Sequence, residues 1–161
     1  MVVGIASKAT KGKEETKSPD TVRVRVRLGT QGQGDWDFLA GRTIADIIPD
    51  LVIPPGLDRI VINGAYNEPE VFGSKRRLTF GMSLHFTTLV PISIKDVNGH
   101  WIRWDLPVLG IPLNELPRAA QTASGLTILK DRVLVEGREV SKKVIANTVV
   151  EADKHYGVID P

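Results

Sequence analysis

A chain of 161 residues that is 42% hydrophobic, with no apolar run of about 18 residues, has the composition of one ordinary folded domain or two small ones; a disordered or helically membrane-spanning chain is excluded. Zero cysteines exclude disulfides, thiolate metal sites and thiol nucleophiles. The net charge of +2 is evenly spread: residues 21–90 carry eight basic and seven acidic side chains and residues 91–161 nine of each, so nucleic acid is disfavoured as the main partner.

Residues 1–20 are rich in Lys, Ser, Thr and Glu, lack the apolar stretch of a signal peptide, and read as a flexible leader. Together with the absence of cysteine, this points to the cytoplasm. TVRVRVRLG then alternates strictly, which predicts a strand with Val22, Val24, Val26 and Leu28 on a core and Arg23, Arg25 and Arg27 on solvent. The arginine face invites a nucleic-acid reading, but acidic residues lie close at hand. A glycine-rich turn and DWDFLAG complete a hairpin. GTQGQG is no phosphate loop, because it lacks the Lys-Ser/Thr pair and a following helix.

Thr43 is a good N-cap for a helix carrying Ile44, Ile47, Ile48 and Leu51 on one face, and Pro49 should end it early. LDRIVINGAYNE predicts strand, Asn-Gly turn and continuation; LTFGMSLHFTTLV predicts a last strand. Lys75-Arg76-Arg77 is read as a solvated loop.

The second half repeats the order. PISIKDV and HWIRWDLPV flank an Asn98-Gly99 turn. A helix capped by Asn114 and ended by Gly125 follows, with Pro117 tolerated in its first turn. DRVLVEGREVS predicts strand–turn–strand, and IANTVVEA the closing strand. Trp101 and Trp104 straddle the two faces of one strand, so one is expected in a core and the other at a contact surface. GRTIADI (41–47) aligns with GIPLNEL (110–116), and DRIVING (58–64) with DRVLVEG (131–137). Both pairs lie about seventy residues apart in the same order, as duplication of one plan would leave them, with the join near Pro91.

Hairpin, helix, strand–glycine turn–strand and final strand is the β-grasp order, and DRVLVEGREV resembles the corresponding segment of ubiquitin-like domains. The chain therefore resembles a tandem, double ubiquitin-like modifier, a family that includes a vertebrate interferon-induced protein and proteins of bacterial Bil-type antiphage operons. The resemblance implies an α+β fold of two tandem β-grasp domains, each a mixed sheet packed on one helix. They would span residues 21–90 and 91–153, with a C-terminal tail at 154–161. It implies a protein modifier, matured between Gly157 and Val158 and conjugated through the Gly157 carboxylate to target lysines, in bacterial defence against phage. Glycine suits that role because it lacks a Cβ to block close approach. The implied partners are an activating enzyme, a conjugating enzyme, a processing peptidase and the target proteins. The modifier itself is not an enzyme and needs no cofactor. Two departures stand out: Tyr156 replaces the usual second glycine, and the span from Gly137 to Gly157 is shorter than in ubiquitin.

No serine-nucleophile or His-Glu-x-x-His pattern occurs, and His85, His100 and His155 are read as surface or strand histidines. Two competing functions remain. One is a non-enzymatic adaptor subunit of an assembly such as a phage tail tip. The other is a β-grasp RNA-binding module, which the balanced charge opposes.

Overall fold

The computed structural model describes residues 20–96, 98–125 and 132–159. They form an α+β protein with two mixed sheets and few helices. Residues 1–19 of the expected 1–20 leader and the last two residues lie outside the described residues.

The first unit opens with β1 (Thr21–Leu28) and β2 (Gln33–Leu39), paired antiparallel from Thr21↔Leu39 to Arg27↔Gln33. Alternation places Val24 and Val26 on the buried side. Arg23 and Arg25 stand on the other side, opposite Asp37 and Asp35, at 3.0 and 3.4 Å. The arginine stripe is thus a cross-strand ladder on its own hairpin, which removes much of its attraction for phosphate. Trp36 and Phe38 stack on the inner face with ring centroids 5.8 Å apart.

The helix α1 (Ile44–Ile47) is as short as Pro49 requires and passes into a 3-10 turn at Ile48–Asp50. Its start is a reciprocal capping box: Asp46 N–H donates to the Thr43 hydroxyl at 3.2 Å, and Thr43 N–H to the Asp46 carboxylate at 2.9 Å. These bonds hold the Asp46 carboxyl below its ordinary range. Thr43→Ala is expected to destabilise the protein by about 1 kcal/mol, read as a lower urea midpoint at unchanged slope.

The sheet closes with β3 (Arg59–Ile62) and β4 (Ser83–Thr87) in the order β2-β1-β4-β3, with β1 parallel to β4. The expected continuation strand after Asn63-Gly64 does not form. Both turn residues take positive φ, but the chain then wanders through Tyr66 and Pro69 and meets β3 only at an Ile60↔Glu70 bridge. Proline has no N–H to extend a ladder.

The second unit repeats the plan with β5 (Leu89–Lys95), β6 (Trp101–Pro107), α2 (Leu116–Ser124), β7 (Arg132–Val135), β8 (Arg138–Glu139), α3 (Lys142–Asn147) and β9 (Tyr156–Ile159). Its order is β6-β5-β9-β7-β8, with β5 parallel to β9. The units join at Thr88, between β4 and β5, so Leu89 and Val90 belong to the second. Gly125 ends α2 in the left-handed region (φ 79°), as expected. Asn114 does not cap it; the chain enters through a 3-10 turn at Leu113–Glu115 with no side-chain cap.

The two units correspond in backbone detail. Asn63 and Glu136, the non-glycine residues with positive φ among the described residues, occupy the same place in the two aligned segments. Gly41 and Gly110 both have φ near 90°, and the residues two beyond them, Thr43 and Pro112, each make an isolated bridge. Ile44 and Ile47 are buried in one core as Leu113 and Leu116 are in the other.

The end of the chain corrects the sequence reading. IANTVVEA does not supply the closing strand: residues 142–147 are helical, started by Ser141, whose hydroxyl accepts the Val144 N–H at 3.3 Å. The following Val150 is buried against Ile111 through a single bridge region, not a ladder. The closing strand is β9, inside the segment expected as a tail from residue 154.

Candidate functional site

Gly157, the expected conjugation residue, and Val158, the expected processing partner, sit in β9 between two neighbours. Gly157 pairs with Ser93 of β5 and Leu134 of β7; Val158 pairs with Ile94 and Val133. Val158 is fully buried in the second core, as is Tyr156. The Tyr156 hydroxyl accepts the Glu151 N–H at 2.8 Å, so the residue standing where a second glycine was expected is a tethered core tyrosine.

The glycine has a packing role. An added Cβ at 157 would lie 3.4 and 3.5 Å from carbons of the Trp101 ring. The indole of β6 thus reaches across β5 and covers the bare backbone of β9, as aromatics do over glycines in sheets. Lys95 lies 5.8 Å from the Trp101 ring centroid. Trp104 points the other way, into the core, with its Nε1 buried and without a hydrogen-bond partner. Because those Cβ distances are ordinary contacts and the backbone is extended, Gly157→Ala is expected to be neutral or stabilising by up to about 1 kcal/mol. Gly157→Glu should displace Trp101 and lower the urea midpoint.

A second polar constellation lies elsewhere, at the seam between the units. On β1, β4 and β3, residues Arg27, His85 and Val61 share one row of the outer face of the first sheet, by the register Arg27↔His85 and Val61↔His85. The segment after β6 lies over that face. The Leu109 carbonyl accepts from the Thr87 hydroxyl at 2.9 Å and stands 2.8 Å from His85 Nε2; Arg27 Nη1 donates to the Gly110 carbonyl at 3.3 Å. Covering both faces explains why β3 and β4 are continuously buried rather than alternating. Tyr66 of the first unit packs on the core of the second.

Beside this seam is a cleft of about 280 Å³, lined by Arg25, Arg27, Tyr66, Ser83, His85 and Glu115. Its protonation states follow from burial and charge. Burial first, and then the Arg27 guanidinium, push the His85 imidazole down to about 4, so at neutral pH it is uncharged. A neutral ring beside a carbonyl carries its proton on Nε2, leaving Nδ1 as an acceptor. Burial and the Glu115 charge push the Tyr66 phenol up to about 12, so it remains a neutral donor.

The sequence did not single out this cleft. Strict alternation placed Arg27 outward, but no local pattern says that a turn about eighty residues later covers it. His100 and His155 are exposed, the first 3.9 Å from Asp96 and the second donating its backbone N–H to the Glu136 carboxylate at 3.0 Å. Arg76 pairs with Glu70 at 2.8 Å, consistent with a solvated loop. Among the described residues no cluster of His, Asp or Glu fits a metal ion, and no helix is long and apolar enough to cross a membrane. The sequence matches no protein-family model and no curated protein.

Proposed function

We propose that the chain is a pair of fused β-grasp modules, ubiquitin-like in strand order, that acts in the cytoplasm as a non-enzymatic structural adaptor, holding partner proteins without covalent conjugation. The β-grasp reading is supported by two sheets in which an opening hairpin flanks a central parallel pair, with a helix between. The observation that carries the adaptor reading is the place of Gly157. A cut after it would sever β9 and strip Val158 from the core, where both neighbouring strands pair with it. The hydrogen-bonded seam adds to this, because it fixes the two modules as one body of the kind an assembly subunit presents.

The conjugation reading rests on the same strand order. It asks a peptidase and an activating enzyme to reach Gly157 by unpairing β9. Intact mass spectrometry and denaturing gels of the protein expressed with its neighbouring genes separate the two. The adaptor reading expects the mass of all 161 residues and stoichiometric complexes that dissociate in denaturant, unchanged in Gly157→Ala. Loss of the mass of Val-Ile-Asp-Pro, or denaturant-stable adducts that vanish in Gly157→Ala, would overturn it in favour of the modifier.

A further inference from the structure

Arg27 differs from its neighbours on β1. Arg23 and Arg25 each face an aspartate across the hairpin, whereas Arg27 faces Gln33, whose Oε1 it reaches at 2.9 Å. Its other bond goes to the neutral carbonyl of Gly110. Among the described residues it has no carboxylate partner, and it is half-buried at the seam. A guanidinium has five N–H donors in a fork shaped for oxyanions, and desolvating one without a counter-ion is costly.

The cleft supplies the rest of a receptor. Arg25 stands one pleat along the same face; Ser83, paired with Arg25 in the β1–β4 register, presents a hydroxyl to the cleft; the Tyr66 hydroxyl stays protonated at neutral pH. Neither hydroxyl has a protein acceptor among the described residues. His85 adds no charge. Glu115 is the one acidic side chain on the lining, placed on the second unit across from the arginines. Four donors, two of them cationic, thus line a space large enough for a small ligand; Asp35 offsets Arg25 and Glu115 limits the remaining charge, which leaves Arg27 as the arginine with no carboxylate across the hairpin.

We propose that this cleft is a binding site for an oxyanion, a carboxylate or a phosphate group of a small ligand, gripped by Arg27 with Arg25, Tyr66 and Ser83 around it. Because one wall comes from each module, the bound anion would also strengthen the seam. The site does not depend on whether the chain acts as adaptor or modifier, since both leave the cleft intact.

Inorganic phosphate and acetate, titrated separately into the full-length protein at low ionic strength and followed by amide and arginine side-chain NMR shifts, test this and tell the two chemistries apart. At least one should give saturable shifts centred on Arg27, Tyr66 and Ser83. Arg27→Gln should weaken that binding by about 10-fold or more, the size of one charge-assisted hydrogen bond. Arg23→Gln changes net charge equally but should alter it less than about 2-fold, since Arg23 does not line the cleft. Should Arg27→Gln disturb the seam, Glu115→Gln and Arg25→Gln remain, neither of which breaks a bond across it; the first should tighten binding and the second weaken it. No saturable binding of either anion, or equal weakening by Arg23→Gln and Arg27→Gln, would overturn the proposal.

Discussion

Gly110→Ala is expected to be the most damaging single-methyl substitution in the protein. A Cβ built at Gly110 overlaps the carbonyl oxygen of Gly29, a backbone atom of the other unit that no side-chain rotation can move aside. The residue also holds φ at 91°, where an L-residue is strained by about 1–2 kcal/mol. Relief requires the turn at 109–111 to lift from the first sheet, and that breaks the bonds from Thr87, His85 and Arg27 together. At about 1 kcal/mol per bond, the total reaches about 4 kcal/mol, or a fall in Tm of about 10 °C. The corresponding glycine of the first unit provides a control. Gly41 is the aligned residue in the first unit, with φ 89° and only the tip of Arg77 at 4.0 Å from an added Cβ. Gly41→Ala therefore incurs backbone strain alone. Differential scanning calorimetry of the two variants should show Gly110→Ala melting well below Gly41→Ala. Equal melting temperatures would mean that the seam adds nothing to stability.

The same comparison shows what was legible in the sequence. Local rules worked where local bonds decide the outcome: Thr43 and Pro49 bounded α1, Asn63-Gly64 made a turn, and Gly125 closed α2. They failed where distant packing overrides residue preference. IANTVVEA has the β-branched content of a strand, yet Ser141 caps a helix there and the pair Val149-Val150 is used to bridge the helix entry at Pro112 and Ile111. β9 was hidden because only four residues make it, and one is glycine. A glycine in a strand contributes no packing of its own, and its partner, Trp101, lies more than fifty residues away.

The functional residues were harder still. Gly157 drew notice through its position near the end of the sequence, and its backbone pairing then gave it a structural reason to be glycine. Arg27 was indistinguishable from Arg23 and Arg25 along β1. What separates them is the residue across the hairpin, Gln33 rather than aspartate, and that difference becomes readable once the register is known. A charged strand facing a neutral partner is a signal that sequence pattern carries only after the hairpin is aligned.

His85 should make the seam sensitive to mild acid. Its imidazole titrates near 6.5 in an unfolded chain and near 4 in the folded protein, because burial and Arg27 oppose the charged form. Between those values the unfolded state binds the extra proton, so stability falls as pH falls from about 6.5 to about 4. The full loss is about 3 kcal/mol; above 6.5 the ring is neutral in both states, and below 4 it is charged in both, so the contribution is flat on either side. The groups around the ring do not cancel this. Arg27 is a fixed cation, Arg25 lies farther along the same face, Tyr66 ionises only in alkali, and Glu115 sits on the opposite wall of the cleft. Asp46, whose carboxyl is also held low, loses its stabilising effect only below about 3.8, outside this window. His85→Gln retains an N–H able to meet the Leu109 carbonyl but cannot take up a proton. Urea midpoints measured from pH 7 to pH 4 should therefore decline steeply in the wild-type protein and much less in His85→Gln, with the two curves converging toward pH 7. Parallel curves across that range would place the acid sensitivity in groups other than His85.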